Sequence, residues 1–205
     1  MRTVAVLLVA ALSAVSCSSG APSGTPADPP PSSAVPTTGP GEYAAPVPIA
    51  TTCSQHLAHD AVADRFGKPT GEPRVTSNES NVVSCSQSLT GAEYPVGYVV
   101  TDIVFEVDIE KTRARYQKAK DTTDPEIGDV QPLPGYGDQA YWLRHGDAVG
   151  ARPGQFQVRV QRGNVLITVR VAAGQTASYS ADRTNGLRDA TAKYAEATLN
   201  RLPKR

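Results

Sequence analysis

His56 and His59 stand three residues apart, with Asp60 beside the second. On a helix the two imidazoles share one side, but zinc needs at least three protein ligands in fixed geometry. The third histidine, His145, lies far along the chain in an apparent turn, and no Glu follows His56 as a helical zinc-protease pattern requires. The pair reads as a solvated helix face, and no metal is expected. Gly135-x-Gly137-x-x-Ala140 has the spacing of a dinucleotide fingerprint. That motif works where a strand enters a helix whose N-terminus meets a pyrophosphate. Here Pro132 and Pro134 precede it and an aromatic, strand-like run follows, so it reads as a turn, and no cofactor is expected. Asp102, Glu106 and Asp108 fall at even spacing and share one strand face, with Arg159 or Arg170 opposite. A glycosidase-like carboxylate pair needs such neighbours; a salt-bridged sheet face needs only the charges. No Gly-x-Ser-x-Gly elbow occurs, although triads are spatial and a dispersed one leaves no trace in sequence. No catalytic residue is assigned.

Tyr136, Tyr141 and Trp142 are the candidate binding patch. Aromatics beside a Gly-rich loop line ligand or partner surfaces, and they also plug the end of a sheet. Both readings stay open.

The elements that position these residues follow a leader. Met1-Arg2-Thr3 is a short basic start, Val4 to Leu12 lacks any polar residue, and Ser13 to Ser16 is small. This is the pattern of a secretory signal peptide over residues 1–16, and the apolar run is too short to span a bilayer. Ala14-Val15-Ser16-Cys17 is similar to a bacterial lipobox, which implies acylation of Cys17, although Ala14-x-Ser16 also suits ordinary signal-peptidase cleavage. Ser18 to Ala50 holds nine of the seventeen prolines and only Asp28 and Glu42 as charges. Such a stretch buries too little apolar area to offset chain entropy. Residues 17–50 are therefore expected to be a lipidated cysteine and a disordered linker, about 100 Å long when extended, and residues 51–205 a single domain. Removing residues 1–16 takes away Arg2 alone and leaves 19 basic against 20 acidic groups. With no basic excess, nucleic acid is not an expected partner. In an oxidising compartment, Cys53 and Cys85 default to a disulfide.

Within the domain, Ser54 is expected to cap a helix to Phe66, ended by Gly67 and Pro69. Val82 to Leu89 and Val96 to Val107 read as strands, and Asp108 as the cap of a second helix with Ile109, Arg113 and Tyr116 on one side. Gln139 to Leu143 is a short aromatic strand. Gln155 to Arg162 and Val165 to Val171 alternate around Gly163-Asn164, a two-residue hairpin turn of type II′. A last helix runs from about Asp182 to Leu202, with Leu187, Ala190, Tyr194, Ala197 and Leu202 as its stripe. Alternation and hairpin argue for an α+β class: an antiparallel sheet with helices packed on one face and one disulfide.

Lipobox, Pro/Ser linker, Cys53-Ser54-Gln55 opening a helix, Cys85 on the next strand, and Pro134-Gly135-Tyr136-Gly137-Asp138-Gln139-Ala140-Tyr141-Trp142 occur in that order. Together they resemble the actinobacterial envelope lipoproteins grouped as a domain of unknown function. The resemblance covers about residues 50–203 and implies an exported α+β domain; it supplies no activity. The expectation is a lipid-anchored protein on the extracytoplasmic face of the cell membrane. Its domain would bind an envelope protein, lipid or glycan without catalysis. The alternatives are a cell-wall-directed hydrolase with a dispersed site and a sensor or accessory subunit of an envelope complex.

Overall fold

Eight strands, the central ones alternating apolar and polar residues, make one antiparallel sheet in the structure, a computed structural model that describes residues 39–91, 96–123, 130–144, 155–173 and 181–205. The leader, Cys17, the spacer as far as residue 38, and His145 lie outside the described residues. In chain order the strands are β1 (Lys68–Pro69), β2 (Arg74–Asn78), β3 (Val82–Thr90), β4 (Val96–Phe105), β5 (Val130–Pro132), β6 (Gln139–Arg144), β7 (Gln155–Arg162) and β8 (Val165–Ala173). The sheet runs β1-β3-β4-β8-β7-β6-β5, with β2 also on β3. The class is α+β, and Cys53 and Cys85 are joined in a disulfide.

Period-two burial decides which side of each strand faces the core. Val165, Ile167, Val169 and Val171 of β8 point to the same side as Phe156, Val158 and Val160 of β7, and all are buried. Helix α4 (Ala181–Arg201) covers this side with Leu187, Tyr194 and Leu199. Tyr194 reaches the middle of the sheet, where its hydroxyl and that of Thr101 lie 3.0 Å apart in a buried hydrogen bond. Cys53, Leu57, Val62 and Phe66 fill the rest of that core. Helix α3 (Ile109–Asp121) starts where expected: Asp108 Oδ1 accepts from the Lys111 amide at 2.7 Å, which satisfies one free N–H of the first turn. It rests on the other side of the sheet, where Tyr116 packs with Val104, Tyr141 and Leu166, so helices lie on both faces rather than on the one face expected.

Two further expectations are corrected. The single helix Ser54–Phe66 is three short pieces: α1 (Thr51–Gln55), a 3₁₀ turn His59–Val62, and α2 (Ala63–Phe66). Ser54 caps nothing; its hydroxyl donates to the Thr51 carbonyl at 3.3 Å. The break has a tertiary cause. The Ala58 amide donates to Thr198 Oγ1 at 3.2 Å, and the Leu57 carbonyl accepts from Arg201 Nη1 at 3.2 Å. Those groups would have continued a helix, and α4 takes them instead.

The linker boundary also moves. Residues 39–50 belong to the domain: Tyr43 is 1% exposed and Ile49 is 8% exposed. The Tyr43 amide donates to Asn164 Oδ1 at 2.9 Å, while Asn164 Nδ2 donates to the Tyr43 carbonyl at 3.0 Å and to the Glu106 carbonyl at 2.8 Å. Tyr43 also bridges antiparallel to Lys204, flanked by Ala44 N–H to Pro203 O at 3.0 Å and Arg205 N–H to Glu42 O at 2.8 Å. Gly41 is required here, because a Cβ would lie 1.8 Å from Asn164 Cγ. Proline-rich composition hid this segment; one tyrosine and one asparagine amide suffice to dock it.

Candidate functional site

The turn before β6 shows why Pro134 to Asp138 has its sequence. Leu133 N–H donates to Ala140 O at 3.0 Å and closes the loop. Gly135 and Gly137 sit at φ +88° and +56°, where residues with a Cβ are disfavoured. At Gly137 space is also short: a Cβ would stand 2.4 Å from the Gln161 carbonyl oxygen. The close approach lets Asp138 N–H donate to that same carbonyl at 2.8 Å. Asp138 Oδ2 then accepts from Gly163 N–H at 2.8 Å and from Gln161 Nε2 at 3.3 Å, locking the loop onto the β7–β8 hairpin, where Gly163 has φ +52°. On the other side Gly137 N–H donates to Glu196 of α4 at 3.2 Å, and Glu196 is itself paired with Arg162. No helix follows, so the fingerprint-like spacing is a turn, as expected from its flanking prolines.

The locked loop makes Tyr136 part of the lining of a cleft of about 440 Å³. One wall is Ala61, Val62, Asp64 and Arg65; the other is Gly186, Asp189, Ala190 and Lys193 of α4. Tyr136 is half-buried against the core. Burial first, and then the Asp189 carboxylate, holds its phenol above the usual tyrosine range, so it stays a neutral donor and acceptor. Asp189 is paired with its neighbour Arg188 at 2.7 Å, and Asp64 lies 3.8 Å from Arg65. Lys193 is exposed and has no ion pair among the described residues.

The three aromatics of the candidate patch do not share one surface. Tyr141 and Trp142 are consecutive on β6 and so point to opposite sides of the sheet. Tyr141 is 1% exposed, edge-on to Tyr116 at 5.2 Å, with the Arg159 guanidinium 5.6 Å from its ring. Trp142 lies on the α4 side, 7% exposed, and donates from Nε1 to Gln131 Oε1 at 3.1 Å. Only Tyr136 borders the cleft. Trp142 acts one layer behind it: the Arg188 guanidinium sits 5.8 Å from the indole and in turn holds Asp189. Ala190 apart, the α4 wall lies off the apolar stripe expected for that helix. Gly186, Asp189, Ala190 and Lys193 recur at helical spacing and are small or charged where a core stripe would be large and apolar, and that was the available signal.

The even-spaced carboxylates go to separate partners. Asp102 pairs with Arg170, as expected, and accepts from Ser84 Oγ at 2.6 Å; Glu106 meets Arg115 at 2.6 Å; Asp108 caps α3. Cys53 and Cys85 are both buried, with Cα atoms 5.5 Å apart, tying α1 to β3.

His56 and His59 are separated by the break at Leu57–Ala58. His59 turns inward, its ring 5.1 Å from that of Tyr194 and both ring nitrogens buried without a hydrogen-bond partner among the described residues. Burial lowers its pKa to about 4; Asp60 opposes the shift, and Arg201 adds to it. Between about pH 6.5 and pH 4 the unfolded chain therefore binds the proton that the folded chain refuses. Stability is full above that window and falls as the pH drops through it, by up to about 3 kcal/mol. Urea midpoints at pH 7 and pH 4.5 measure this. His59→Phe should flatten the difference, and an unchanged pH slope in that variant assigns the effect elsewhere.

No protein-family model matches this chain, and no curated protein matches it. Among solved structures, it is similar to the extracellular domain of PknH from Mycobacterium tuberculosis. The two are 15% identical, with a TM-score of 0.44, over 79% of this chain and 100% of that one. At this level of similarity no ligand or partner carries over. Among the described residues no helix is long and apolar enough to cross a membrane, and no group of three His, Cys, Asp or Glu is placed to hold a metal.

Proposed function

We propose that this chain is an extracytoplasmic lipoprotein, held at the membrane by acyl chains on Cys17, whose domain binds an envelope component in the cleft beside Tyr136. One observation carries the binding reading: an aromatic side chain is mounted on a loop locked from two sides and lines an open cleft. Preorganised aromatic anchors of this kind concentrate binding energy. The buried Cys53–Cys85 disulfide supports export, since such bonds persist in oxidising compartments. The leader and the lipobox-like Ala14 to Cys17 support the anchor.

Palmitate labelling of the wild type and Cys17→Ser tests the anchor; label retained in the variant overturns it. Capture of envelope material by the full chain, wild type against Tyr136→Ala, tests the binding site. The aromatic contact is expected to be worth about tenfold in retained material. Equal capture by both proteins removes the cleft from the account.

A further inference from the structure

The chemistry of the cleft is specific enough to exclude several occupants. An acyl chain wants an enclosed apolar cavity; here both walls end in charges, Asp64 and Arg65 on one and Asp189 and Lys193 on the other. A polyanion wants clustered cations, and two carboxylates in the walls oppose one. A peptide added as a strand needs a free sheet edge, and the cleft is lined by the segment 61–65, Tyr136 and α4, none of them a strand.

A sugar ring has the opposite requirements. Its hydroxyls are donors and acceptors at once, so they are met by carboxylates that accept and by an ammonium that donates, placed around an open rim. Its C–H faces pack on an aromatic plane. Each part is present. Asp189 is steadied by Arg188, which rests over Trp142. Lys193 has no carboxylate partner among the described residues and keeps its donors available. Tyr136 offers a half-buried ring and a neutral hydroxyl. Ala61, Gly186 and Ala190 keep the walls low, and about 440 Å³ falls within the usual range of small-molecule clefts. We infer that the cleft takes a neutral or N-acetylated sugar unit of an envelope glycan, seated between Tyr136 and the Asp189–Lys193 face of α4. This inference rests on the binding reading above.

The test uses the full chain in detergent micelles. Isothermal titration is run with an N-acetylglucosamine disaccharide, with maltose, and with a soluble enzymatic digest of wall glycan. The expected result is saturable binding of at least one probe. Tyr136→Ala should weaken it about tenfold, while Tyr136→Phe, which keeps the ring, stays within about threefold. Lys193→Met, at an exposed position, should also weaken binding while leaving the melting temperature unchanged. The bound probe should compete with captured envelope material. Capture that depends on Tyr136 but is untouched by every sugar, with no titration signal, overturns the saccharide and keeps a binding cleft. Sugar binding that is equal in wild type and Tyr136→Ala overturns the seat. Capture and titration both indifferent to Tyr136 sink the binding reading along with the inference.

Discussion

Asn164→Ala is expected to destabilise the domain by roughly 3–5 kcal/mol, a large share of the margin of an ordinary fold. The residue is fully buried, and its side-chain amide does the work of a missing strand. It accepts from the Tyr43 amide and donates to the carbonyls of Tyr43 and Glu106, at 2.9, 3.0 and 2.8 Å. Truncation to alanine strands all three backbone groups. It also opens a void over Gly41, whose lack of a Cβ is what lets the amide in. Leaving a buried polar group unpaired costs about 1–3 kcal/mol each, and partial entry of water lowers the sum. Asn164→Asp should be no better, because it keeps the acceptor for Tyr43 N–H but faces two carbonyl oxygens with no donor. Urea unfolding of both variants decides it; a loss under about 1 kcal/mol in Asn164→Ala would mean that residues 39–45 are not clamped.

The second large effect belongs to the Cys53–Cys85 bond. It closes a loop of sequence separation 32, worth about 3.7 kcal/mol in the chain-entropy model. Cys53→Ala/Cys85→Ala is the cleaner variant, because serine would bury two hydroxyls in the core. For a domain of this size the loss lowers the melting temperature by about 10 °C, and reduction of the wild type should reproduce it. The bond also has a local consequence. It fixes α1 on β3, and α1 leads directly into the 3₁₀ turn and α2, whose Ala61 to Arg65 form one wall of the cleft. Reduction below the melting temperature is therefore expected to weaken Tyr136-dependent capture before the sheet itself is lost. A double variant that melts within about 2 °C of wild type contradicts this account.

How far the sequence could be read depended on whether a signal was local. The β7–β8 hairpin, its Gly163 turn and its inward Val and Ile residues were legible because alternation and turn chemistry are written within a few residues. So was the Asp108 cap. The edges were not. Arg74 to Asn78 is exposed apart from the half-buried Ser77, so β2 has no alternation to detect, and β1 and β5 each end in a proline that an edge strand tolerates. The failure at Ser54–Phe66 is of another kind. Leu57, Ala61, Val62 and Phe66 have helical spacing, and the interruption comes from Thr198 and Arg201, more than a hundred residues away. The cleft combines both cases. Tyr136 stood out among glycines, but its partners on α4 are small or charged residues that give meaning only once the loop is seen lying against them.

The place where the chain enters the fold sets an orientation. Residues 39–45 run beside Pro203 to Arg205, so the two ends of the domain leave from the same pole, at the foot of α4. Lys193 and Asp189 lie eight and twelve residues before the last residue of that helix, Arg201, which at 1.5 Å per residue is about 12–18 Å away along its axis. A pull applied at Gly39 would therefore load the Tyr43–Asn164 bonds. The cleft residues of α4 would feel that pull through the length of the helix between them and Arg201.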